Sequence, residues 1–245
     1  MSTTQTKPIQ TRYIVSLDLG QTNDYSALVV DAQTATPNPN PKLRPDLRHD
    51  IRHIQRWPLL TSYVDIVKDT VTLFDQPPLR GALLLVDRTG VGRGIYDMLA
   101  RSGIKANVIG WSITAGRKPN FQDKTVPKSD LCASIKAALS TRRLHIAPTL
   151  DLARTLTEEL ANFHVTVTED RNETFASWRE KDHDDILLST ALCVWWGELL
   201  GPPGGGAWTP QSSSGGPQSP VGFIGQKNAR GRGVRPPIIT GFGPL

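Results

Sequence analysis

Residues 13–31 read YIVSLDLGQTNDYSALVVD, and this stretch decides the fold. Two apolar runs, 13–19 and 26–31, are joined by QTNDY, which predicts a β-hairpin with Asp18 at the end of its first strand and Asp24 in the connection. Strand ends and helix starts are where a rigid scaffold presents side chains to a substrate. Acids recur at such places downstream. Asp87 ends the apolar run 82–86, and the pair Asp184 and Asp185 opens the apolar stretch 186–196.

Outward from the hairpin, the proline-rich residues 36–45 read as an exposed excursion, followed by a third strand over 51–57. Tyr63, Ile66, Val67, Thr70, Val71 and Phe74 recur at helical spacing, and Pro77-Pro78 stops that helix before a fourth strand at 82–86. A helix over 91–100, a fifth strand over 104–111, a loop over 114–125 and a helix from Pro127 through Leu139 follow. A helix at 150–162, strand-like segments at 163–167 and 174–178, and a last helix from Asp184 complete the reading. Three strands in an antiparallel meander, then parallel strand-helix units, predict an α/β fold with one mixed central sheet flanked by helices. That order sets the end of the first strand beside the end of the fourth. Asp18 and Asp87 then become neighbours, and the last helix brings Asp185 to them by packing its N-terminus over the same edge.

Composition bounds the domain plan. With 245 residues, 38% of them hydrophobic, the chain holds one substantial core. The plan is a flexible N-terminus over 1–11, one folded domain over 12–200, and a Gly/Pro/Ser-rich tail over 201–245 whose composition predicts disorder. Of the net charge of +5, the tail carries +4 through Lys227, Arg230, Arg232 and Arg235, so the folded part is no strongly basic DNA clamp. The tail reads equally as an electrostatic arm for phosphate or as a solubilising linker. No apolar run has the length of a membrane span or a signal peptide, and the expected location is the cytoplasm. Cys132 and Cys193, far apart and without CxxC spacing, read as small core residues.

Each acid has a bland explanation on its own: aspartate is a common N-cap and turn residue. Together they point to chemistry. Carboxylates that converge without a partnering base imply bound divalent cations, and an acid-only set suits Mg²⁺ or Mn²⁺. His183, just before the pair, would contact a substrate phosphate, orient a carboxylate or cap the helix. Gly90, Gly92 and Gly94 belong to no Walker motif, since no G-x-x-x-x-G-K-[ST] occurs in the chain. They would let the backbone turn close to the metal site or the DNA, with Arg88, Arg93 and Lys128 as candidates to bind phosphate.

Four strings in order, SLDLGQTNDYSALVV from residue 16, LLLVDRTGVGRGIYDML from 83, VPKSDLCASIKAALSTRRLHIA from 126 and HDDILLSTALCVWW from 183, resemble the nuclease domain of the phage terminase large subunit. That domain belongs to the RNase H-like superfamily, which also holds the Holliday-junction resolvases; the resemblance spans about residues 12–197. It implies an RNase H-like fold and endonucleolytic cutting of double-stranded DNA with two Mg²⁺ or Mn²⁺ ions during phage packaging, in the host cytoplasm. Asp18 matches the first-strand acid of the family, Asp87 the central-strand acid, and Asp185 the acid that opens the last helix, with Asp184 as the neighbour that would serve instead. Asp24 either approaches the metals or caps its turn. The first strand begins too soon after Met1 for an ATPase motor to precede it, so a separate motor, a small terminase subunit or a portal is the expected partner. Asp18-Leu19-Gly20-Gln21-Thr22 also resembles the first phosphate loop of sugar kinases and actin-like ATPases, which need two such domains. A Holliday-junction-type resolvase, or a non-catalytic DNA-binding or assembly module on the same fold, is the alternative.

Overall fold

The computed structural model describes residues 10–20, 24–38, 45–116, 118–169 and 184–203, with backbone alone over 163–169. The predicted hairpin is formed by β1 (Arg12–Asp18) and β2 (Ser26–Thr36), which pair antiparallel with Asp18 opposite Ala27. β3 (Asp46–Trp57) adds to β2, again antiparallel. After α1 (Tyr63–Phe74) the chain returns as β4 (Leu83–Asp87), parallel to β1, and β5 (Asn107–Thr114) follows α2 (Gly92–Arg101) on the outer side of β4. β6 (Thr125–Pro127), α3 (Lys128–Ser140), β7 (Leu144–Ile146), α4 (Ala153–Glu169) and α5 (Asp185–Leu200) complete the described chain. The sheet order is β6-β5-β4-β1-β2-β3-β7, the RNase H-like mixed sheet expected from the sequence.

Alternation of side chains across the pleat splits the core in two. Val15, Leu17, Leu28 and Val30 pack with Ile66 and Phe74 of α1 and Ile95 and Leu99 of α2. Ile14, Ala27, Val29 and Ile51 face the other way, toward Leu131 and Ile135 of α3, Leu156 and Leu160 of α4, and the length of α5. α5 is buried on every side from residue 184 to 197, which explains a sequence apolar around its whole circumference. Its polar residues bond locally: Ser189 Oγ donates to the Ala27 carbonyl at 3.1 Å and Thr190 Oγ1 to the Ile186 carbonyl at 2.8 Å. Trp111 packs edge-on against Trp195, with ring centroids 4.9 Å apart.

Several boundaries move. β2 and β3 extend through polar residues to Thr36 and from Asp46, and β5 starts three residues late, at Asn107. The strands β6 and β7, three residues each, are additions: β6 spans the end of the expected loop and the start of the expected helix at Pro127, and β7 lies between the helices expected to end at Leu139 and to begin at 150. The strand expected at 163–167 is corrected, since α4 continues as helix to Glu169. The β-branched composition FHVTVT favours a strand only weakly, and a helix already running through Leu160 overrides it. The strand expected at 174–178, the terminus 1–9 and the tail from 204 lie outside the described residues.

Candidate active site

The register of the central strands assembles the site. Leu17 pairs with Val86 across parallel β1 and β4, so Asp18 and Asp87 are the next residues at adjacent strand ends, where neighbouring strands run about 4.8 Å apart. The N-terminus of α5 packs on this edge and delivers Asp184 and Asp185. All four carboxylates are buried, Asp87 and Asp185 to 2% exposure.

Asp185 shows how crowded the cluster is. Burial, and then the charges of Asp18, Asp24 and Asp184, drive its carboxyl far above the ordinary range, and it shares a hydrogen bond with Asp24. Its Oδ2 is buried without a hydrogen-bond partner, a state that costs free energy unless something positive meets it. Asp87 is oriented by its own turn, where Thr89 donates to Oδ1 from its backbone N–H at 2.8 Å and from its hydroxyl at 2.6 Å. Thr89 in turn accepts the Ile113 N–H at 3.0 Å, tying the acid-bearing turn to β5. Of the glycines after Asp87, Gly92 has a steric reason, because a Cβ there would lie 1.8 Å from the Asp87 carbonyl oxygen, whereas a Cβ at Gly94 would meet open space.

Three further groups border the acids. Lys128, at the start of α3, is buried with Nζ 3.7 Å from Asp184 Oδ2. Glu159 of α4 accepts the Leu187 N–H of α5 at 2.8 Å, while Arg56 of β3 stands 3.6 Å from its other oxygen and 4.3 Å over the Tyr25 ring. Burial lifts Glu159 to about 7, against the pull of the Leu187 N–H and Arg56.

The structure thus brings together Asp18, Asp24, Asp184, Asp185 and Lys128, with Asp87 at the adjoining strand end. Arg93 is exposed on the first turn of α2, just past Asp87. Arg88 crosses Gly110 and donates to the Asp123 carbonyl at 3.2 Å, fastening β4 to the loop before β6. His183 lies outside the described residues. Glu159 and Arg56 are absent from the sequence reading, because a glutamate on an amphipathic helix and an arginine near a strand end carry no signal of their own.

The donor set fits a hard divalent cation: carboxylate oxygens only, mutually repelling, one of them orphaned in the interior. Among the described residues no group of three or more Asp, Glu, His or Cys is already drawn up to metal-holding distance.

A second buried polar cluster lies at the opposite end of α5. His49 is fully buried, its Nδ1 2.6 Å from Asp31 Oδ2 and its Nε2 3.3 Å from Glu198 Oε1. Burial opposes a charge on His49, but the bonds to Asp31 and then Glu198 prevail and raise it to about 9. Burial also pushes Glu198 up, and His49 and Arg143 outweigh it, leaving the carboxyl below its usual value. Asp31 is raised by burial against the pull of His49. Arg12 donates to Gln33 Oε1 and to the Gly201 carbonyl, both at 2.9 Å, and Gly197 has no room for a Cβ, which would meet Gln33 and His49 at 2.7 and 2.8 Å.

No family model matches the chain, and no characterised protein matches it at the level of sequence. Among solved structures it is similar to the large terminase nuclease from thermophilic phage G20c, with 20% identity over 75% of this chain and 81% of that one, at a TM-score of 0.48. It is also similar to the HK97 bacteriophage large terminase, with 12% identity over 76% of this chain and 40% of that one, at a TM-score of 0.47. The Mn-soaked human cytomegalovirus terminase nuclease domain shares 10% identity over 76% of this chain and 83% of that one, at a TM-score of 0.46. Among the described residues no helix is long and apolar enough to cross a membrane.

Proposed function

We propose that the chain is a divalent-metal-dependent endonuclease that cuts double-stranded DNA, of the kind used by terminases in phage packaging. The observation that carries the reading is the crowding of buried carboxylates from β1 and α5 on one another and on half-buried Asp24 of the β1–β2 connection, beside the buried acid that ends β4. Crowded buried acids resist ionising together, as the raised Asp185 carboxyl shows, and a bound divalent cation is what would let them ionise side by side. The packaging role rests on the four strings of sequence and on their order.

Asp18, Asp87, Asp184 and Asp185 would hold the cations, with Asp18, Asp87 and Asp185 as the catalytic set. Two Mg²⁺ or Mn²⁺ ions held there would supply an activated water and stabilise the leaving 3′-oxygen at phosphorus. The chain does the rest. Thr89 fixes the carboxyl of Asp87, and Lys128 supplies the positive charge nearest Asp184 on the α3 side. Arg93, exposed in the first turn of α2, would offer a phosphate contact that positions a duplex without reading its sequence. Cutting is accordingly expected to be nonspecific.

Supercoiled plasmid incubated with Mg²⁺ or Mn²⁺ tests the reading. Nicking and linearisation that disappear with EDTA and in Asp87→Ala are the expected result. A folded wild-type chain that leaves the plasmid intact with both metals would instead favour a binding or assembly module.

A further inference from the structure

The start of α5 is capped in an unusual way. Asp184 holds the N-cap position, and aspartate is among the residues that cap best, accepting the N–H of the second or third helical residue. It makes no such bond. The two donors it would satisfy, Ile186 and Leu187, are taken by Glu159 from α4, the Leu187 N–H at 2.8 Å. Asp184 turns instead toward Lys128, 3.7 Å away, on the side of the acid cluster. Glu159 is buried, and Arg56 braces it through the ion pair at 3.6 Å while lying over Tyr25, the residue after Asp24.

We propose that Glu159 is a surrogate cap for α5, a positioning residue that relieves Asp184 of capping and so keeps its carboxylate for the cation site. The inference rests on the metal-site reading above. Without Glu159 the orphaned N–H groups of the first turn would recruit the nearest acceptor, which is the Asp184 side chain itself. The carboxylate would swing from Lys128 to its own helix and be lost to the cations. The sequence shows the economy of the arrangement: one acid from a neighbouring helix lets both members of an Asp-Asp pair face the site.

The test is Mn²⁺ binding followed by calorimetry and by the paramagnetic signal of free Mn²⁺, without DNA. Glu159→Ala is expected to weaken Mn²⁺ on the order of 10- to 100-fold, the usual cost of removing a residue that orients a ligand. Glu159→Gln keeps a cap acceptor and is expected to retain most of the affinity. In an Asp184→Asn background, Glu159→Ala should cost no further affinity. A lower apo melting temperature with unchanged Mn²⁺ affinity in Glu159→Ala would overturn the proposal and leave Glu159 a structural cap. So would an equal loss in the Asp184→Asn background, or a loss in Glu159→Gln as large as that in Glu159→Ala, the last deciding the matter even where the alanine variant does not fold. Wild-type protein that binds no Mn²⁺ would refute the metal site itself, an outcome visible before any variant is compared.

Discussion

The two ends of α5 treat buried charge in opposite ways. At its C-terminal end Asp31 and Glu198 flank His49, and Arg143 pairs with Glu198, so anions and cations alternate. At its N-terminal end Asp18, Asp24, Asp184 and Asp185 repel one another, and Lys128 is the cation set beside Asp184. Both clusters lie in the interior, on one helix and one sheet. The difference separates a lock from the proposed site: a compensated cluster holds the helix down, whereas one of crowded acids costs stability, which an affinity for cations would offset.

The contrast can be broken by exchanging the outcomes. Asp185→Asn should lower cleavage on the order of 10³-fold, as loss of a preorganised charge at the reacting centre does, while the apo melting temperature holds or rises because repulsion is relieved. Melting curves recorded beside plasmid assays decide this, and a variant that unfolds would make the acid structural. His49→Ala should do the reverse, costing about 3–5 kcal/mol by stranding buried Asp31, with cleavage per folded molecule retained. Urea titration measures the loss.

Mn²⁺ sharpens the comparison next. At a hundredfold excess over its dissociation constant it should stabilise the wild type by about 2.7 kcal/mol, reversibly with EDTA, and leave Asp185→Asn unmoved. Both ends respond to pH, since Asp185 is raised to about 9 as well, and the share of the C-terminal end is set by His49. The folded value for His49, about 9, lies above its ordinary 6.5, so its contribution is complete below pH 6.5 and is lost as pH climbs through 9. Metal-free melting should therefore fall across that window in the wild type and stay flatter in His49→Gln. Smallest of all, Arg93→Ala should weaken DNA binding evenly across sequences and reduce the salt slope by about 1.

The clustering of the acids was legible in the sequence because each ends or opens an apolar run, and such runs are the strongest signal of a buried element. The strand order then followed from the meander and the strand-helix units. The lock was not legible. Register slips at Val30/Asp31, leaving Arg52 without a partner on β2, so DLRHDIRHIQRW loses its clean alternation and reads as a strand only from Ile51. His49 consequently looked like part of a polar approach, although it is fully buried. Glu159 stayed hidden for a different reason. Its role depends on α5 arriving at its side, a contact between residues 28 positions apart in the chain that no local pattern encodes. Arg88, a candidate for phosphate, shows the converse, since a basic side chain after an acid reads as substrate-facing and here reaches across a glycine to a neighbouring loop.

The contact of Gly92 with the Asp87 carbonyl reaches beyond sterics. Backbone meets backbone there, with no side chain between the strand that carries the acid and the helix that carries Arg93. The interval between the acid and the root of the arginine is thus a fixed gauge, insensitive to rotamer. A duplex gripped by that arginine would be indexed to the cutting position by the main chain itself, and Gly92→Ala would shift the gauge without touching a single charge.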